Sequence, residues 1–90
     1  MNMEAYRQQL NELDAELVEL YIRRMEIAGD IGRYKKEKGL PVKDENRERE
    51  LLDRLGKQAG RTYEAGVRAL FSLLIDHSCA RQEQIMEEQL

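Results

Sequence analysis

The sequence predicts an all-α fold with three helices per chain, and three observations carry that prediction. Apolar residues recur at helical rather than alternating spacing through most of the chain. One proline, Pro41, and glycines at 39, 56 and 60 divide it into one long segment and two shorter ones. Charged residues are 37% of the total and aromatics 6%, a balance that suits helices with a single apolar stripe each. Ninety residues allow one domain, spanning 1–90, near the lower end of what buries a self-sufficient core.

The first helix is expected over about 3–38. No proline interrupts Glu4 to Lys38, and Tyr6, Leu10, Leu13, Leu17, Leu20, Tyr21, Ala28 and Ile31 follow i+3 and i+4 steps. Lys35, Lys36 and Lys38 suit the negative end of the helix dipole, Gly39 suits a left-handed cap, and Pro41 forbids continuation. Gly29 and Gly32 lie inside at a cost of about 1 kcal/mol each against alanine, and read as points of close approach by a neighbouring helix or ligand. Arg24 and Lys35 fall within roughly 20° of the middle of the apolar stripe. A charge there is costly unless something pairs with it. Some 35 helical residues span about 50 Å, whereas a compact chain of this length is roughly 30 Å across. The rest of the chain cannot cover such a stripe, so a homodimer is expected.

A loop over 39–43 leads to a second helix over about 45–59, with Asp44 as its N-cap. Leu51, Leu52 and Leu55 form its apolar face. Asp44 and Glu48 continue that face backward, with Arg47 at its edge, and Gly56 and Gly60 are expected to close the segment. The third helix is expected over about 63–88, running to the C-terminus from Thr62 as N-cap. Its stripe is Tyr63, Val67, Leu70, Phe71, Leu74 and Ile85, interrupted by Ser78 and Gln82, with Arg81 close by.

Each helix therefore carries polar groups on its core side. Singly, each reads as a satisfied core polar group or a side chain snorkelling to water; Arg24 could pair with Glu48, and Ser78 could bond back to its own helix. Jointly, they describe one shared pocket. It is net cationic with amide and hydroxyl donors, which suits a small polyanion such as a dicarboxylate.

Other chemistries fit less well. The net charge is −3 with both signs interleaved, which argues against a nucleic-acid groove. No run of eighteen apolar residues suggests a membrane span, and the N-terminus lacks the layout of a signal peptide, so a cytoplasmic location is expected. One histidine and one cysteine make no internal disulfide and no transition-metal site. His77 lies toward the flank of the third helix and reads as a solvent or interface residue. Cys79 is turned from the centre of the stripe and reads as a small buried or interface residue. Ser78 lacks a histidine and acid to activate it, and no glycine-rich phosphate loop is present.

Leu13–Leu20, Arg23–Ala28, Ile31–Lys35, Pro41–Asp44 and Asn46–Glu50, continued through Leu70 and Phe71 to Ser78 and Gln82, resemble the all-helical chorismate mutases. The resemblance covers nearly the whole chain. It implies an intertwined homodimer and an isomerase that rearranges chorismate to prephenate in aromatic amino acid biosynthesis, without cofactor or metal. By the same resemblance, Lys35 contacts a carboxylate and the ether oxygen, Gln82 faces that oxygen, and Glu48 with the Asp44 backbone holds the ring hydroxyl. Arg24 grips a substrate carboxylate, Arg47 and Ser78 support the substrate, and Arg7 crosses into the partner's site. The link Gly56–Gly66 matches loosely, and Arg81 is larger than the family pattern implies near the rim. Two other readings stay open: an isochorismate–pyruvate lyase of the same fold, and a non-catalytic helical dimer or regulatory module. A designed chain, or a piece of a larger two-domain enzyme, is equally consistent with the sequence.

Overall fold

A computed structural model describes residues 2–88 as three helices: α1 (Met3–Lys38), α2 (Glu45–Ala59) and α3 (Glu64–Glu87). Their ends follow from identifiable caps. The Asn2 side chain accepts from the Ala5 N–H at 3.0 Å, satisfying a free donor of the first turn of α1. Gly39 takes the left-handed conformation (φ 68°), and Leu40 N–H returns to the Lys35 carbonyl at 2.8 Å. Asp44 caps α2 by accepting from Arg47 N–H at 3.1 Å.

α2 ends at Ala59 before Gly60, as expected, but two local expectations differ. Gly56 does not close α2; it is buried inside the helix, where a Cβ would come within 2.7 Å of the Arg68 side chain. Arg68 lies there because it bridges α3 to α2, pairing with Glu64 at 2.9 Å and Asp53 at 3.0 Å. Thr62 is not the N-cap of α3. Gly60–Tyr63 form a turn closed by Tyr63 N–H to the Gly60 carbonyl at 3.1 Å, so Tyr63 is the capping position and gives no side-chain bond. The expected run of α3 to the C-terminus extends, at 89 and 90, outside the described residues; the helix itself ends at Glu87.

α3 is the central element. It runs parallel to the C-terminal half of α1, so that Arg24 meets Ser78 and Lys36 meets the Ile85 carbonyl. It runs antiparallel to α2, and among the described residues α1 and α2 pack on α3 rather than on each other. The close approach of α1 to α3 is set by Gly32. A Cβ there would lie 3.1 Å from both the Gln82 Cα and the Ile85 Cβ. The small core comprises Ala28, Val42, Ile75 and Ile85.

The three helices lie in one layer. α3 lies between the other two, and the chain, at 54 × 29 × 13 Å, is far thinner in one direction than in the others. Along the N-terminal half of α1, Leu10, Leu13, Leu17, Val18, Leu20 and Ile22 are all more than half exposed. The accessible surface is 7301 Å², against roughly 5,500 Å² for a compact monomer of this mass. Among the described residues, no helix is long and apolar enough to cross a membrane.

Candidate active site

A cavity of about 290 Å³ opens between α2, α3 and the C-terminal part of α1, at the small end of the range for ligand sites. Six of the residues singled out by sequence line it: Lys35 from α1, Asp44, Arg47 and Glu48 from the start of α2, and Ser78 and Gln82 from α3. Ile31, Val42, Leu51 and Ile75 form its apolar wall. A larger hollow of about 600 Å³ outside the α1–α2 loop shares only Lys35 and Asp44 with that set.

Each polar group is held in a definable way. Lys35 Nζ donates to the Val42 carbonyl at 2.7 Å. An ammonium has three donors, so two remain for a ligand. Arg24 sits one step back, its guanidinium donating to Ser78 Oγ at 2.6 Å and lying 5.8 Å from the centre of the Phe71 ring. The expected alternative pairing of Arg24 with Glu48 is not formed, because Glu48 is engaged by Lys43 at 2.9 Å. Ser78 likewise meets Arg24 rather than its own helix backbone. Arg47 turns along its helix to Glu50. Arg54 first, and Arg47 with it, hold the Glu50 carboxyl below the usual carboxylate range.

Two oxygens remain without a partner. Glu48 Oε2 and Gln82 Oε1 are buried and accept no hydrogen bond among the described residues. Gln82 is 6% exposed. A buried polar atom left unmatched is costly, and the side chains of both residues line the cavity.

Arg7 is not brought to this cavity. It lies exposed near the start of α1, and 28 residues before Lys35 correspond to about 42 Å along a helix. Arg81 does not stand at the rim; it lines a separate α1–α3 groove with Tyr21, Met25 and Gly29. Its helical direction is about 100° from that of Gln82, enough to move it to another face. His77 is exposed on the flank of α3, where its Nδ1 and the Tyr21 hydroxyl share a hydrogen bond of 2.9 Å.

Three contributors were not legible from periodicity. Val42 acts through a backbone carbonyl, and Lys43 lies in a loop where spacing carries no signal. Cys79 lines the cavity although it points away from the stripe that faces α1. Burial, and then the nearby Glu48 carboxylate, raise its thiol pKa. The signal that would have found it is the second neighbour of α3: the face turned to α2 is a different arc of the same helix.

Residues 6–83 match the family described as chorismate mutase type II. The chain belongs to the type II chorismate mutase family. Among relatives of this chorismate mutase-family chain is a chorismate mutase of Methanocaldococcus jannaschii, 32% identical over 85 residues, which are 91% of this chain and 85% of that protein. A bifunctional chorismate mutase/prephenate dehydratase of Escherichia coli is 33% identical over 89 residues, covering 96% of this chain and 23% of that protein. A 3-dehydroquinate dehydratase of Pyrobaculum aerophilum shares 42% identity over 52 residues, 58% of this chain and 17% of that protein.

Proposed function

We propose that the chain is a chorismate mutase, converting chorismate to prephenate by an intramolecular Claisen rearrangement. The observation that carries this reading is one cavity lined by Lys35 and Gln82 from two different helices, with Glu48 Oε2 in the same lining buried and unpartnered. The reaction breaks the ether C–O bond as a C–C bond forms within the same molecule, so no group is transferred to the protein. What the protein must supply is restraint and charge.

Restraint comes from the cations. Arg24, Lys35 and Arg47 engage the two substrate carboxylates and hold the enolpyruvyl arm over the ring, replacing conformational search by a near-attack geometry. Glu48 Oε2 accepts the ring hydroxyl, which gives that buried oxygen the donor it lacks. Charge stabilisation comes from Lys35 and the Gln82 amide N–H, which donate to the ether oxygen as negative charge develops there. Ser78 holds Arg24 in place, and Asp44, occupied as the cap of α2, contributes its backbone.

The working unit is an intertwined homodimer. The chain exposes roughly 1,800 Å² more than a compact monomer would, over twice what one partner buries in a standard interface (about 800 Å²). The bare stripe of α1 is the surface to be covered. A second copy laid over it also carries Arg7 into a site its own chain cannot supply.

The test is to add purified protein to chorismate, follow the loss of chorismate absorbance and identify the product. Prephenate is expected. Release of pyruvate from isochorismate without prephenate from chorismate would favour the lyase, and no turnover of either would leave a non-catalytic helical dimer.

A further inference from the structure

Lys43 does not itself line the cavity; it lines the hollow outside the α1–α2 loop and takes no part in the roles above. Its ammonium is 2.9 Å from Glu48 Oε1, while Glu48 Oε2 is buried and unpartnered. The two oxygens of one carboxylate are thus differentiated: one is fixed from the solvent side and the other is left for the cavity. Glu48 is the group most in need of such fixing. It is a carboxylate that must stand beside a dianionic ligand, and its side chain is only 21% exposed.

Charge gives a second reason. Of the charged residues that line the cavity, Lys35 and Arg47 only balance Asp44 and Glu48. Lys43, paired with Glu48, adds a cation on the side of a dianionic ligand. The loop that carries it also carries the Val42 carbonyl that holds Lys35. Successive residues, Val42 and Lys43, therefore restrain a cation and an anion that both line the cavity.

We infer that Lys43 is a positioning residue: it orients the Glu48 carboxylate so that Oε2 faces the substrate hydroxyl, and it cancels the repulsion between Glu48 and the substrate carboxylates. The inference rests on the mutase reading. Because the hydroxyl bond exists in both the bound substrate and the transition state, its loss acts on binding more than on the chemical step.

Steady-state kinetics on chorismate for the unmodified protein, Lys43→Met and Lys43→Arg test this, with circular dichroism to follow the fold. In Lys43→Met, KM should rise roughly two- to fivefold with kcat nearly unchanged, as expected for losing a partly exposed ion pair. Lys43→Arg should restore most of the loss. Calorimetric binding of prephenate then separates orientation of Glu48 from direct contact with ligand. Lys43→Met should weaken it in the native background and change it by less than about twofold in a Glu48→Gln background, where no carboxylate remains to hold. An unchanged KM in Lys43→Met, a fall confined to kcat, or an equal loss in both backgrounds would overturn the role of Lys43 alone. An unmodified protein that leaves chorismate untouched would overturn the mutase reading, and this role with it.

Discussion

Lys35 has three donors, and the fold commits one to the Val42 carbonyl, so the residue arrives at the cavity already aimed. Removing such a preorganised donor typically costs about 3–4 kcal/mol of transition-state stabilisation, a few hundredfold in rate or more. Lys35→Ala should show that loss in kcat with helical content unchanged; near-normal turnover would remove Lys35 from the mechanism. Cys79 offers a chemical handle on the same cavity. Its thiol pKa is raised by burial and then by Glu48, so less thiolate is present at neutral pH than on a free peptide. Alkylation by iodoacetamide should be slow at pH 7, accelerate as the pH rises, and be slowed by prephenate. Mass spectrometry of the labelled chain reads all three. The polar residues of the site were legible as interruptions of apolar stripes, because a charge on a core face demands an explanation. Cys79 was not, since a small apolar-compatible residue interrupts nothing.

Helix packing determines whether those residues meet. Gly32 and Gly56 are both buried helix glycines, yet alanine should act differently at the two. At Gly32 the new Cβ would press on the Gln82 Cα at 3.1 Å, so the backbone of α3 must move and carry Gln82 with it. Overpacking of this kind costs about 1–3 kcal/mol, more than the roughly 1 kcal/mol gained in helix propensity. Gly32→Ala should therefore lower the melting temperature by a few degrees and reduce turnover. At Gly56 the nearest atoms belong to the flexible Arg68 side chain, which can swing aside. Gly56→Ala should leave activity intact and melting nearly unchanged; a larger effect there than at Gly32 would refute this ranking. Thermal unfolding and kinetics on the two variants decide it. The helix boundaries were readable because Gly39, Asp44 and Gly60 are local signals. The Thr62 cap was misread because the Gly60–Tyr63 turn takes the chain one residue further before α3 begins.

At the scale of the molecule, one layer of helices cannot enclose a core. Domains need two, and α1 leaves its stripe bare from Tyr6 to Ile22. Helix length predicted this from the sequence, but how α3 divides its faces between α1 and α2 depends on tertiary packing that no single stripe records. If the second layer is another copy that lends Arg7, chains lacking Arg7 and chains lacking Arg24 should complement each other. In a mixed dimer of Arg7→Ala and Arg24→Ala, one site keeps both arginines. Mixing two inactive variants should restore activity in proportion to the mixed dimer formed, and confirmed subunit exchange without recovery would argue against a shared site. The thinness of the chain has a further consequence, in time rather than in space. The N-terminal arm of α1 has almost nothing of its own chain to fold against, so if a second copy covers it, its burial waits for a collision. Recovery of activity after dilution from denaturant should then be second order in protein, with a half-time that shortens as concentration rises. A concentration-independent recovery would mean that each chain completes its fold alone.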